Sequence, residues 1–197
     1  MRIYKNFNLN KIHKNSIILI GNFDGVHLGH RKLFNLAKKY KQRLNLKIGV
    51  LTFEPIPKIF FNKKIKNLRI SSFEQKKNLL KNLGIEFIIN KKFNLKFSKM
   101  KSIDFIKNII YKKLSPKFIF VSNNFRFGNK REGSVRQLIK YAQVVSSQTQ
   151  NMLNSMSQLE VLHENNDPTI SKYAKNIASI YQYIHPHDHL EHIQDFL

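Results

Sequence analysis

Ser16-Ile17-Ile18-Leu19-Ile20 is an uninterrupted apolar run, closed by Gly21 and followed after a short polar loop by a helical stripe of Leu33, Phe34, Leu36, Ala37 and Tyr40. A strand that is apolar at every position has no side to offer to water, so it must be covered on both faces. The pattern recurs. Residues 47–53, 85–89 and 118–121 read as further strands of the same kind. Between them, residues 73–83 read as a helix closed by Gly84, 102–114 as a second helix and 131–141 as a third. Strands alternating with helices predict an α/β fold with a parallel sheet. In such sheets ligands bind beyond the carboxyl ends of the strands. Three of the four expected strands run into unusual polar or glycine-containing segments there, at 21–30, 52–57 and 122–133.

The first of these, Gly21-Asn22-Phe23-Asp24-Gly25-Val26-His27-Leu28-Gly29-His30, joins a strand directly to a helix. Backbone N–H groups and a helix N-terminus then lie side by side, a geometry suited to phosphate. His27 and His30 are three residues apart and share one face of a first helical turn. Two imidazoles there can donate hydrogen bonds to phosphate oxygens and to charge developing on them. Gly29 between them lets a ligand come close to the backbone. Read without any relative, the alternative is a tight strand–helix turn with incidental histidines.

The three segments together resemble the bacterial FAD synthetases, the bifunctional riboflavin kinase/FMN adenylyltransferases. Gly-x-Phe-Asp-Gly-x-His-x-Gly-His is similar to that family's nucleotide signature. Thr52-Phe53-Glu54-Pro55-Ile56-Pro57 resembles its Thr-Phe-[Asp/Glu]-Pro-His-Pro segment, with Ile56 in place of the usual His. Asn123-Asn124-Phe125-Arg126-Phe127-Gly128, with Arg131 and Gly133 after it, resembles its [Asp/Asn]-Phe-x-Phe-Gly-x-x-Arg-x-Gly segment. The resemblance covers about residues 10–142. It implies a Rossmann-like nucleotidyltransferase fold and adenylyl transfer from ATP to FMN, giving FAD and pyrophosphate. It further implies His27, His30 and Asn124 as catalytic residues. Gly21, Asn22, Phe23, Asp24, Gly25, Gly29 and Arg126 would join the two histidines around ATP, while Phe53, Glu54, Pro55, Pro57, Phe125 and Phe127 would flank the flavin. Phe60 and Phe61 read as core. Mg²⁺ is expected with ATP, held by substrate oxygens and water, and no protein metal site is expected. A nucleotidyltransferase of another specificity and a catalytically impaired flavin- or nucleotide-binding module are the competing readings.

The chain divides by charge. Residues 1–143 carry 33 Lys+Arg and 6 Asp+Glu, a net of 33 − 6 = +27. Residues 144–197 carry 2 and 6, a net of 2 − 6 = −4. The expected organisation is therefore an adenylyltransferase-like domain over 1–143, incomplete at its C-terminal end, and a helical or partly disordered tail over 144–197 with no strand. The resemblance implies a Ser-Ser-Thr-x-[Ile/Val]-Arg segment whose Arg holds ATP phosphates. Ser146-Ser147 is all that matches it, and nothing in the tail reads as a riboflavin kinase domain. His185, His187, His189 and His192 read as a solvated segment rather than a metal cluster, since Pro186 disrupts a helical face and the chain has no cysteine. Lysines spread along the chain among Asn, Ile and Phe, rather than gathered in one block, argue for a solvated surface over a nucleic-acid face. No apolar run reaches the roughly 20 residues that a bilayer-spanning helix needs. Cytoplasm is the expected location.

Overall fold

A computed structural model describes residues 1–62, 69–150 and 160–162. Its centre is a six-stranded, wholly parallel sheet: β1 (Arg2–Tyr4), β2 (Ile17–Ile20), β3 (Ile48–Glu54), β4 (Phe87–Lys92), β5 (Phe118–Phe120) and β8 (Glu160–Leu162), in the order β1-β4-β3-β2-β5-β8. A short antiparallel hairpin of β6 (Arg126–Phe127) and β7 (Gly133–Ser134) lies outside it. The connections are α1 (Leu28–Leu44), α2 (Pro57–Phe61), α3 (Phe73–Asn82), α4 (Leu95–Ser98), α5 (Ser102–Asp104) continued by a π-helical run Phe105–Leu114, and α6 (Val135–Gln150). The α/β class and the parallel sheet expected from the sequence are those of the structure.

Each strand sends alternate side chains to opposite faces, and both faces are buried. One core gathers Ile18, Ile20, Leu51, Ile89, Ile119 and Val121 under the π-helical run and α6. The other gathers Ile17, Leu19, Val50, Ile88, Phe118 and Phe120 under α1 and α3. This is why the strands are apolar throughout, and why β2, in the middle, is buried at every position. α3 opens with a reciprocal capping box between Ser72 and Gln75 and closes at Gly84, in the left-handed region at φ 77°.

Three elements depart from the expectation. β1 was not legible as a strand: it is three residues long, begins at a charged Arg2 and lies at the sheet edge. The third helix begins at Val135 rather than 131, because 126–134 is spent on the hairpin. The stretch beyond 143 was expected to hold no strand, yet Glu160–Leu162 pairs in parallel with Phe118–Phe120, and α6 runs across position 143. Arg2–Tyr4 and Glu160–Leu162 each begin at a charged residue and form no continuous apolar run, unlike residues 118–121. The helix expected at 169–183 and the four C-terminal histidines lie outside the described residues.

Gly49 stands directly opposite Phe87 across the β3–β4 ladder, and a methyl group on it would lie 2.1 Å from the Phe87 ring. Gly49→Ala is therefore expected to destabilise the fold by about 1–3 kcal/mol. A thermal melt should show this as a fall of several degrees; an unchanged midpoint would contradict the packing described here.

Candidate active site

The chain reverses direction across the sheet at β2. From β2 it steps through α1 to β3 on one side, whereas β5 flanks β2 on the other. The crevice beyond the carboxyl ends of such a pair is where α/β sheets bind ligands. The loop 21–30 leaves β2 at this point, and Ser122 and Asn124 leave β5 beside it, with Ser122 Oγ 2.8 Å from Asn124 Oδ1. The segment 52–57 leaves β3 on the other flank. The convergence of three segments expected from the sequence is observed.

The 21–30 loop is held in an unusual backbone. Phe23, Gly25 and Val26 all have positive φ, at 48°, 67° and 43°. Only glycine adopts that region freely, so the other two need support. Phe23 supplies it by folding its ring into the core, 1% exposed, against Gly21, Phe34 and the edge of His30. Asp24 supplies it by accepting three hydrogen bonds of 2.8 Å, from Ile70 N, Ser71 N and Ser71 Oγ. Gly25 N–H in turn donates to Ser71 Oγ at 3.2 Å. Burial alone would raise the Asp24 pKa, but these bonds outweigh it and hold the carboxyl below its ordinary value. Both residues were expected around ATP. The ring of Phe23 is core and the carboxylate of Asp24 is fully engaged, so they shape the loop rather than present their side chains to a ligand.

His27 is the N-cap residue of α1, and His30 follows in its first turn. Their rings stack with centroids 3.7 Å apart and planes 23° from parallel. Gly29 permits this, since a methyl group there would press on the His27 ring at 3.2 Å. Burial, and then the neighbouring His27, push the His30 pKa down to about 4, so the ring is neutral at pH 7. His30 Nδ1 is buried and has no hydrogen-bond partner. The pair thus offers two imidazoles on one face, one of them holding an unused polar atom beside the loop.

At the carboxyl ends of β3 and β4 lies a cavity walled by Phe53, Phe61, Phe93, Phe97, Phe125 and Phe127, with Pro57 also on its wall and Arg126, Lys130 and Arg131 contributing charge. Phe125 and Phe127 stack at 5.4 Å. The hairpin carrying them is anchored by Gly128, where a Cβ would meet the Ser102 backbone at 2.7 Å, and by Glu132, which accepts from Ser102 N at 2.7 Å. Of the residues expected beside a flavin, Phe53, Pro57, Phe125 and Phe127 line this cavity. Glu54 and Pro55 do not: the Glu54 carboxylate is taken by Arg69. Arg126, expected beside ATP, lies on the aromatic wall instead, because β6 turns it there. Phe61, expected in the core, is 67% exposed and faces the cavity. Ile56, where the family pattern has His, is buried. Sequence reading missed Phe93, Phe97 and Lys130. The first two sit four apart just beyond β4, a spacing that could have placed both on one face.

The comparisons fit this geometry. The sequence profile of the family described as FAD synthetase matches residues 9–163. The chain belongs to the FAD synthetase family. Among similar members, a bifunctional riboflavin kinase/FMN adenylyltransferase of Buchnera aphidicola subsp. Schizaphis graminum is 42% identical over 131 residues, 66% of this chain and 42% of the relative. The protein of the same description from Escherichia coli K12 is 34% identical over 124 residues, 63% of this chain and 40% of the relative. The match thus spans about two fifths of each relative's length. In fold, the chain resembles the crystal structure of a macrolide-efflux protein from Streptococcus pneumoniae, with a TM-score of 0.61 and 22% identity over 89% of this chain and 55% of that one. Among the described residues, no helix is long and apolar enough to cross a membrane.

Because His30 is depressed, its unfolded form binds a proton first as pH falls below 6.5, and the folded form only near 4. Stability should therefore drop between those values and level off below them, with none of this contribution lost above pH 6.5. Following the His30 ring protons by NMR checks it: a midpoint near 6.5 in the ligand-free protein would contradict the burial described.

Proposed function

We propose that this chain transfers the adenylyl group of ATP to FMN, forming FAD and releasing pyrophosphate. The observation that carries this reading is the stacked His27–His30 pair at the sheet's crossover point, with the unpartnered His30 Nδ1, beside an aromatic cavity edged by Arg126, Lys130 and Arg131. ATP takes the loop of Gly21, Asn22, Gly25 and Gly29. The isoalloxazine of FMN takes the cavity, where Phe125 and Phe127 stack on it and the cationic rim meets its phosphate.

A phosphate oxygen of FMN attacks the α-phosphorus of ATP in line. The new P–O bond forms as the bond between the α-phosphorus and the bridging oxygen breaks, and pyrophosphate leaves with that oxygen. No covalent enzyme intermediate is required, so the protein's work is alignment and charge stabilisation. His27 and His30 donate hydrogen bonds to the phosphate oxygens, and an anion beside His30 favours the protonated ring that its burial disfavours. Asn124 positions the nucleotide. Mg²⁺ enters on the ATP phosphates, held by their oxygens and water.

A second reading, a nucleotide- and flavin-binding module with little turnover, is favoured by one observation. Ser146 and Ser147, the partial match to the family's Ser-Ser-Thr segment, lie within the helix α6.

Incubation with FMN, ATP and Mg²⁺ is expected to yield FAD and pyrophosphate. Replacing His27 and His30 together by Ala should lower turnover at least about 10²-fold while leaving the melting temperature close to that of the parent. Undiminished turnover in that variant would refute the roles assigned to the histidines. Binding of FMN and ATP without FAD formation by the parent chain would favour the second reading.

A further inference from the structure

Lys76 is 1% exposed, and among the described residues it is the one lysine or arginine in the buried set. It sits on α3, directly behind the 21–30 loop. Its ammonium makes a single long hydrogen bond there, Nζ to Thr52 Oγ1 at 3.4 Å, and no carboxylate lies within ion-pair distance of it among the described residues. Thr52 Oγ1 also donates to the Asn22 carbonyl at 3.3 Å, so the ammonium lies under the junction between β3 and the loop. The charged groups facing it are Glu54 from β3, Arg69 before α3 and Asp24 from the loop. Both carboxylates are already engaged, Glu54 with Arg69 and Asp24 with the Ile70 and Ser71 amides. The Lys76 charge also reaches His30, which it opposes charging.

A buried ammonium whose facing carboxylates, Glu54 and Asp24, lie beyond ion-pair distance and are shared with other donors costs stability, and a methionine of similar length would cost less. A cation at this position, beneath the loop proposed to hold phosphate, is left to be completed by an anion from elsewhere. We propose that Lys76 is a positioning residue of the nucleotide site, a buried cation whose counter-charge is the polyphosphate of the bound nucleotide and which acts through the loop rather than by contact. This rests on the adenylyltransferase reading above. The competing account is that Lys76 merely fills the core and ties Thr52 in place.

The test compares Lys76→Met, which removes the charge and the hydrogen bond, with Lys76→Gln, which removes the charge but keeps a donor for Thr52. Binding of Mg-ATP and of uncharged adenosine is measured by calorimetry on the full 197-residue chain, alongside thermal melts and the His30 titration. Both variants should bind Mg-ATP roughly tenfold more weakly, as expected for a charge lost at short range in a partly shielded site, with adenosine affinity unchanged. The His30 midpoint should rise in both, and the melting temperature of Lys76→Met should hold or increase. Parent-like Mg-ATP affinity in Lys76→Gln would overturn the inference, as would a Lys76→Met that melts lower while binding Mg-ATP normally. If the parent chain binds no Mg-ATP, the adenylyltransferase reading falls and this inference with it. If the parent binds and both variants match it, only this inference falls.

Discussion

The Asp24 carboxylate holds the site together. Its three hydrogen bonds reach 46 and 47 residues along the chain, to the amides of Ile70 and the amide and hydroxyl of Ser71. They fasten the loop after β2 to the residue just before the Ser72 cap of α3, so loop and helix are positioned as one unit. Together with the buried Phe23 ring, that anchor holds Phe23 and Val26 at positive φ and delivers His27 to the head of α1. The carboxylate acts as a brace for the loop. Its geometry is of the kind that carboxylates accepting several amide hydrogen bonds adopt, with the charged form strongly favoured.

The division of labour across the sheet follows from topology. Because β2 has β3 on one side and β5 on the other, the histidine loop shares one flank with 52–57 and the other with 122–131. The aromatic cavity takes residues from the β3, β4 and β5 ends and from the hairpin. The loop 21–30 and the aromatic cavity are thereby placed at the same end of the parallel strands. The hairpin completes the cleft through backbone rather than pattern: Gly128, Lys130 and Arg131 occupy left-handed conformations in succession, at φ 76°, 49° and 61°. Two of these are not glycine, and such conformations persist where surrounding structure enforces them.

This explains what could be read from the sequence and what could not. The central strands β2 to β5 and helices α1 and α3 announced themselves because their apolar patterns had to satisfy two buried faces, and Gly84 marked a helix end for a stereochemical reason. The loop 21–30 was legible because glycine and histidine types at that spacing serve few structural ends. The edge strands were not, each beginning at a charged residue and running for only three. Phe61 read as core because a Phe-Phe pair has no intrinsic reason to face outward; only the position of α2 against Phe93 turns it to the cavity. Glu54 read as a flavin neighbour from its place in the motif, and the sequence could not show that Arg69 would claim it. Lys76 was invisible for a similar reason. One lysine in a lysine-rich helix carries no mark of burial, and only the packing of α3 against β3 separates it from its half-buried neighbour Lys77.

The charge of the chain has its sharpest consequence at this site. Residues 1–143 contain six carboxylates against 33 lysines and arginines. Five of the six are bound to structural partners: Asp24 to Ile70 and Ser71, Glu54 to Arg69, Glu74 to Lys77, Glu86 to Lys41, Lys47 and the Ile48 amide, and Glu132 to the Ser102 amide. Two of those five, Asp24 and Glu54, lie at the candidate site itself, where Arg69, Lys76, Arg126, Lys130 and Arg131 outnumber them. An excess of one sign of charge raises the local concentration of ions of the other sign. The substrates proposed here bring their negative charge as a triphosphate and a monophosphate.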